Sequence, residues 1–362
     1  MMQRGNKMSI KILAINPGGT STKIGFFEDN QPVFSKTIEH DSEELKRFKH
    51  ANNQLDMRFN SIYDALLKNH VDVSALTACV GRGGFLPPVE AGGYRVNDLM
   101  IDFLLNRCEL EHASSLGAVL ADRFAQLSKP RAHAYIYDAE SLNQLPPIAR
   151  ISGVKSIERI SLCHVLNMRA VCRRVAEALN SRYEDMNFII IHMGGGTSVS
   201  AHNKGRVIEA MPDDEGPFSV ERSGAIANKY IVNMCYQKPM AEVFTLLRKN
   251  GGVKSYLGTN DGREVEQMIA DGDQYAKLIY EAMSYQIARA TGDMYAVLEG
   301  QVDGIILTGG LAKSQLMCSM IQKRVEFMAP VHVVPGEYEL EALAEGAYRI
   351  VTNQEEAREY TE

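Results

Sequence analysis

The sequence lacks most of the features that would assign it at a glance. Its six cysteines (Cys79, Cys108, Cys163, Cys172, Cys235 and Cys318) contain no Cys-x-x-Cys pair and no zinc-like spacing. They read as small buried hydrophobes in a reducing compartment, which excludes a disulfide framework and a zinc ribbon. No run of about 18 apolar residues occurs, so no membrane span is expected. The basic start at Arg4 and Lys7 leads into Ser9 to Ile15, which Lys11 interrupts and a Pro-Gly-Gly turn ends. That is not the form of a signal peptide, and a cytoplasmic protein is expected. Positive charge is not in excess: the formal net charge is −6, whereas a broad nucleic-acid surface needs a basic face. Charges are interleaved, and Glu39 to His50 reads as a solvated helix face. Also absent are G-x-x-x-x-G-K-[ST], a G-x-G-x-x-G between strand and helix, and H-E-x-x-H, which removes the familiar phosphate loop, dinucleotide fingerprint and metalloprotease helix.

What is present is a repeated syntax. With 362 residues, 45% of them hydrophobic, the chain can fill two cores, and two domains are the expectation. Ile10 to Asn16 is a buried strand ending in Pro17-Gly18-Gly19; a second strand runs Thr20 to Phe27, and a turn at Gln31-Pro32 leads into a third, Val33 to Ile38. Helical patterns follow at Gln54–Asn69, Asn97–Arg107 and Leu116–Gln126, then a strand from Ala134 to Tyr137 ending at Asp138. After a helix at Val165–Leu179 the strand–glycine turn–strand–turn–strand pattern returns, with Phe188 to Ile191, His192-Met193-Gly194-Gly195-Gly196, Thr197–Ala201 and Arg206–Ala210. Repetition at so long a period implies domain duplication. Asp303 to Leu307, preceded by a helix from Tyr275 to Leu298, is another strand that opens onto Thr308-Gly309-Gly310.

Three strands thus end in glycine-rich turns: at Asn16 to Lys23, at His192 to Ser198 and at Thr308 to Gly310. A glycine turn lets backbone N–H groups approach an anion, and neighbouring hydroxyls add donors. One such turn is also what a plain hairpin needs; three in one chain point to a nucleotide held between two domains by its phosphates.

The strings NPGGTSTK, GRGG (81–84), EHASSLG (111–117), ARISG (149–153), HMGGGTSVSAHNKGRV (192–207), DDEGPFSVERSG (213–224), LGTNDGREVE (257–266) and LTGGLA (307–312) resemble the butyrate kinase family, within the acetate kinase branch of the actin/hexokinase/Hsp70 clamp superfamily. The likeness runs in order over roughly residues 9 to 350. It implies an α/β fold of duplicated ribonuclease H-like (actin-like ATPase) domains, each a mixed five-stranded sheet flanked by helices. It also implies reversible transfer of phosphate from ATP, with Mg²⁺, to a short-chain or branched fatty acid, giving ADP and an acyl phosphate. The expected domains are 1–155 and 156–340, with a terminal helix within 341–362 returning to the first, and a homodimer or larger homo-oligomer.

The chemistry accounts for the charged residues between the loops. A carboxylate is already an anion at neutral pH and needs no general base. Its approach to the γ-phosphoryl is repulsive, by about 4 kcal/mol for unit charges ~4 Å apart at an effective dielectric near 20. Cations must offset that repulsion. By resemblance, Arg82 and Arg222 hold the acceptor and the transferring phosphoryl, His164 donates to the phosphoryl in flight, and His112 is a second active-site histidine. His192 opens the second phosphate loop, while His133 and His332 read as packing residues. Nucleotide contacts are assigned to Asn16, Gly18, Gly19, Thr20, Ser21, Thr22 and Lys23 in the first loop. To these are added His192, Gly194, Gly195, Gly196, Thr197 and Ser198 in the second, and Asp261, Gly262, Arg263, Gly309, Gly310 and Leu311 on the adenosine side. Mg²⁺ is assigned to Asn16, Asp138 and a carboxylate of the terminal helix, Glu341 ahead of Glu339. The sequence departs from the family pattern in having Gly19 where Ser is commoner, Met168 where acetate kinases carry a histidine, and Cys163 where many relatives have Phe. Cys163 either widens the acyl pocket, favouring four or more carbons, or points into the core. A sugar kinase would need a carboxylate base, for which only Asp138 is available; a chaperone-like ATPase would be expected to carry a client-binding domain, and a filament-forming one would need no arginines in the cleft.

Overall fold

Ile12, Leu13, Ala14 and Ile15 are fully buried, as are Phe188 to Ile191, because each run forms an interior strand covered on both faces. The computed structural model describes residues 9–110 and 112–361, so the basic start at Arg4 and Lys7, and Glu111, lie outside the described residues. Twelve strands are described: β1 Lys11–Pro17, β2 Ser21–Glu28, β3 Gln31–Glu39, β4 Ala78–Gly81, β5 Gly93–Arg95, β6 His133–Tyr137, β7 Asn187–Met193, β8 Thr197–Asn203, β9 Arg206–Met211, β10 Gly304–Gly309, β11 Val331–Pro335 and β12 Arg358–Glu359.

The chain forms two compact units, one reaching Leu142 and resuming at Tyr338, the other spanning Asn143–Glu337. In the first unit the sheet order is β12-β5-β6-β4-β1-β2-β3; in the second it is β11-β10-β7-β8-β9. Within both lies one pattern. β1, β2 and β3 form an antiparallel meander, and β4 then β6 add parallel strands beside β1. β7, β8 and β9 repeat the meander, with β10 then β11 parallel beside β7. The three-strand meander read twice from the sequence, and the five-stranded sheet that the resemblance implies, are therefore both present in each unit, the first copy widened by the short strands β5 and β12. Its core is packed by the helices Leu55–Lys68 and Leu116–Leu127, and that of the second unit by the long helix Gln274–Val297.

Some boundaries differ from the periodicity. The pattern over Asn97–Arg107 is an α-helix only from Asp98 to Asp102 and then a π-helical turn to Arg107. The terminal helix runs Glu339–Val351: acidic side chains suit its first turn, and Asn353 at φ 58° takes the left-handed conformation that ends it. It belongs to the first unit. Among the described residues no helix is long and apolar enough to cross a membrane.

The end of β4 is set by backbone contact. A Cβ on Gly81 would lie 2.0 Å from the Gly117 carbonyl oxygen, and one on Gly117 would lie 2.3 Å from that of Arg82. Helix Leu116–Leu127 is thereby pressed against the strand from which Arg82 emerges. Gly81→Ala is expected to destabilise the protein by about 3 kcal/mol or more, because neither backbone can yield. Gly292→Ala, in the middle of a helix where the nearest atom is 3.8 Å away, should be neutral or stabilising by up to about 1 kcal/mol. Urea denaturation midpoints of both variants check this; equal midpoints would contradict the packing argument.

Candidate functional site

In the first unit the chain leaves β1 at Asn16 and turns through Gly18 and Gly19, the Gly18 N–H donating to Ser21 O at 2.7 Å. The turn is braced from beneath by Arg58, fully buried on helix Leu55–Lys68. Its guanidinium donates to Ser21 O at 3.1 Å, Thr22 Oγ1 at 2.8 Å and Gly19 O at 3.2 Å, and Gln54 Oε1 holds it from its other side at 3.0 and 2.8 Å. Thr22 Oγ1 also meets His40 Nε2 at 2.8 Å. Thr22 is thus committed to the core, while Gly19 and Thr20 are exposed and Ser21 and Lys23 half-buried.

Arg82 follows β4. Its Nε lies 2.9 Å from Glu140 Oε1, and its Nη1 donates to Glu339 Oε1. Asn16 Nδ2 donates to the other oxygen of Glu339 at 2.6 Å. Burial opposes the charge of Arg82, but Glu140 and Glu339 more than offset it and raise its pKa. His112 is close enough to feel both Glu140 and Arg82, and burial lowers its pKa. Its Nδ1 accepts the Ser114 N–H at 3.2 Å, which puts the proton of the neutral ring on Nε2.

Two of the residues expected at the metal have defined partners here. Residues 339 and 341 are two apart on a helix and point about 200° away from each other. Glu339 is the one brought to Asn16 and Arg82. Asp138 sits at φ 42° with Oδ1 accepting the Gly92 N–H at 2.8 Å, and it is 3% exposed. Its carboxylate secures the end of β6 rather than standing open.

In the second unit His192 is the penultimate residue of β7, the position matching Asn16 of β1 in the duplicated register. His164, which precedes helix Val165–Ala178, stacks on His192 at 3.9 Å between centroids and 7° between planes. His164 Nδ1 meets Ser198 Oγ at 3.2 Å. Asn167 Nδ2 donates to His192 Nδ1 at 3.1 Å, so the neutral His192 ring carries its proton on Nε2, on the side of Gly194. Thr197 is fully buried, like Thr22 at the matching position of β2, so neither side chain is presented as a surface donor. Strand alternation turns both inward.

Arg222 Nη1 pairs with Asp213 Oδ2 at 2.7 Å, and Arg248 reaches Asp213 Oδ1 at 3.4 Å. Burial raises the Asp213 pKa against the pull of those two arginines. The pair lies directly over Gly196, whose added Cβ would be 2.5 Å from Asp213 Oδ2 and 3.1 Å from Arg222 Nε. Beside it, Gly194, Gly195, Asp261, Gly262, Arg263, Gly310 and Leu311, all expected around a nucleotide, line one cavity of about 790 Å³. Gly309, at φ 89°, stands against the Met193 backbone and shapes that wall from behind. The sequence reading missed Glu140, Asp213, Arg58, Asn167, and Glu266 and Ser314 in the cavity wall. Only Asp213 carried a local signal, in the D-D-E-G that precedes E-R-S-G.

Residues that could hold a divalent cation are Asn16 and Glu339. Both offer hard oxygen atoms, and Mg²⁺ commonly takes only one or two protein carboxylates and leaves its remaining positions to phosphate and water. Among the described residues no three His, Cys, Asp or Glu side chains gather into a metal site.

The brace beneath the first loop has a pH signature. Burial, then Arg58, pushes His40 from 6.5 down to about 4. Its contribution to stability is complete above pH 6.5 and is lost as pH falls toward 4, because the unfolded chain then takes up a proton that the folded one refuses. His40→Gln, whose amide can still reach Thr22, should flatten the fall in melting temperature between pH 7 and 4.5. An unchanged slope would show that His40 does not titrate on unfolding.

Residues 157–351 match the family model described as the acetokinase family. Among solved structures, acetate kinase from Porphyromonas gingivalis superposes with a TM-score of 0.75 at 18% identity, covering 93% of this chain and 99% of that one. A propionate kinase from Francisella tularensis subsp. tularensis SCHU S4 gives 0.70 at 18% identity, with 93% and 98% covered. Acetate kinase from Entamoeba histolytica gives 0.73 at 15%, also with 93% and 98% covered. At these identities the superpositions establish the duplicated, actin-like ATPase fold. The family match spans more than half of the chain and supplies the chemistry, a kinase with a carboxylate as acceptor. The chain belongs to the acetokinase family.

Proposed function

We propose that this protein phosphorylates a short-chain fatty acid of the butyrate type, ATP being the donor and an acyl phosphate the product. The observation that carries the nucleotide half is the cavity walled by Gly194, Gly195 and Gly310, beside the stacked His164 and His192. A Cβ on Gly310 would meet nothing within 4 Å, and its φ is not positive, so neither the fold's packing nor its backbone demands glycine there. Close approach of a ligand's phosphates would account for it.

In the reaction a carboxylate oxygen of the acid attacks the γ-phosphorus, a new O–P bond forms, and the bond to the β–γ bridging oxygen breaks, that oxygen leaving on ADP. No proton need move, since both nucleophile and leaving group are anions. The protein's task is charge neutralisation and alignment. Arg82 would receive the acid carboxylate, Arg222 the transferring phosphoryl, and His164 and His192 would donate ring N–H groups to phosphoryl oxygens. Asn16 and Glu339 would hold Mg²⁺, which when bound neutralises phosphate charge. Acetate or propionate as the preferred acid is supported equally by the family. The small Cys163, half-buried just before His164, favours the longer acids.

Incubation with ATP, Mg²⁺, hydroxylamine and a panel from acetate to pentanoate, isobutyrate and isovalerate, with glucose as a hydroxyl control, tests this. Acyl hydroxamate is expected, most of it from acids of four or more carbons. Only glucose-dependent ADP release would refute the reading. Arg82→Ala and Arg222→Ala should each lower turnover by about a hundredfold with little effect on ATP affinity. Turnover near wild type in either would remove that arginine from the site.

Gly310→Val should leave the melting temperature nearly unchanged and abolish ATP binding, because the side chain enters space that only the nucleotide would occupy. Titration calorimetry with an ATP affinity equal to wild type would place the phosphates elsewhere.

A further inference from the structure

The backbone of Arg82 is fixed closely. Gly117 abuts its carbonyl, its N–H donates to Ile15 O at 3.1 Å, and Gly83 is pressed against Ala139, where a Cβ would approach to 2.5 Å. Its side chain is another matter. An arginine carries a long, rotamer-rich stem, and a backbone clamp does not orient the guanidinium at its end. Two carboxylates do so here, on different edges. Glu140 meets Nε, the side edge, and Glu339 meets Nη1, on the terminal edge.

The two are not equivalent. Glu339 is shared with Asn16 and sits among the hard donors suited to a cation, so it has a second employment when substrates are bound. Glu140 lies on the turn just after β6, whose geometry Asp138 secures through Gly92 and which the Leu142 N–H to Ala139 O bond closes at 3.0 Å. Glu140 and Arg82 are 12% and 13% exposed. Glu140 Oε2 and Arg82 Nε are both buried without a hydrogen bond, so it is the charge of Arg82, its Nε 2.9 Å from Oε1, that accounts for this carboxylate being there.

We propose that Glu140 is a positioning residue for the acceptor acid. By holding Arg82 at Nε it keeps the terminal Nη edge presented, so that an incoming carboxylate can take that edge in place of Glu339. This rests on the reading of Arg82 as the group that receives the acid. The cost of the device is a second negative charge close to where an anion must bind. It succeeds because an oriented guanidinium can bind a carboxylate through two parallel hydrogen bonds, and a freely rotating one cannot do so without losing entropy.

The experiment measures hydroxamate formation by wild type, Glu140→Gln and Glu140→Ala over a range of butyrate at saturating ATP, and then over ATP at saturating butyrate. The glutamine keeps an oxygen for Nε; the alanine removes it. KM for butyrate should rise about threefold in Glu140→Gln and tenfold or more in Glu140→Ala, with KM for ATP within about twofold of wild type in both. A merely structural role would lower the active fraction and leave both KM values alone. Should Glu140→Ala fail to fold, as circular dichroism would show, the glutamine variant decides. A butyrate KM that is unchanged or lower in that variant would mean that Glu140 competes with the acid or does nothing for it, and overturns the proposal. If wild type converts no acid at all, the functional reading falls, and this proposal with it. If wild type is active and only the KM pattern fails, Glu140 alone is misassigned.

Discussion

A guanidinium taken out of water at the end of a strand must be given partners, and this requirement organises much of the protein. Arg82 is the clearest case. Its partners Glu140 and Glu339 come from the turn after β6 and from the first residue of the terminal helix, and Glu339 in turn engages Asn16 at the end of β1. Residues 16, 82, 140 and 339 are drawn to one point by a single charge. The terminal helix is thereby attached to a unit whose other residues end at Leu142. Were Arg82 unpaired, the desolvation of its charge would cost several kcal/mol, so the carboxylates are a condition of placing a cation there at all.

Two other arginines meet the same requirement differently. Arg58 is fully buried and hydrogen-bonds no carboxylate among the described residues; two backbone carbonyls, a hydroxyl and an amide oxygen satisfy it. The charge is compensated by dipoles, and the first glycine turn is held rigid as a result. Arg222 pairs with Asp213, itself partly shared with Arg248, so the cation over Gly196 is neutralised less completely than Arg82 is. In both units the cation proposed to act stands beside a glycine that no other residue could replace without a clash: Gly81 and Gly117 around Arg82, Gly196 beneath Arg222. Small residues at those points let charge, backbone and substrate occupy neighbouring space.

The duplicated topology then places different chemistry on equivalent positions. Asn16 and His192 are the penultimate residues of β1 and β7, one an amide joined to a carboxylate, the other an imidazole stacked on a second imidazole. In register, Arg82 beside Asn16 corresponds to Thr308 beside His192. A single strand pattern thus supplies a cationic, carboxylate-rich corner in one unit and a glycine-walled cavity with ring N–H donors in the other.

Much of this was legible in the sequence, because it depends on local pattern. Buried β-branched runs ended by glycine turns, recurring in the same order, were enough to read the meanders, their duplication and the loops that line the cavity. Arg82 and Arg222 stood out because glycines flank one and a D-D-E-G/E-R-S-G string surrounds the other. What depends on direction was not legible. Thr22 and Thr197 belong to glycine-turn motifs, yet strand alternation turns both into the core. Glu339 and Glu341 are equivalent as letters, and only the phase of the helix against β1 selects Glu339. Asp138 marks a strand end in the sequence, but its carboxylate is taken by a backbone N–H from a residue 46 positions away. Glu140 and Arg58 gave no signal at all, since a buried ion pair and a buried guanidinium are made by residues that meet only after folding. Periodicity records which face of an element is apolar; which charges face one another is decided by how the elements pack.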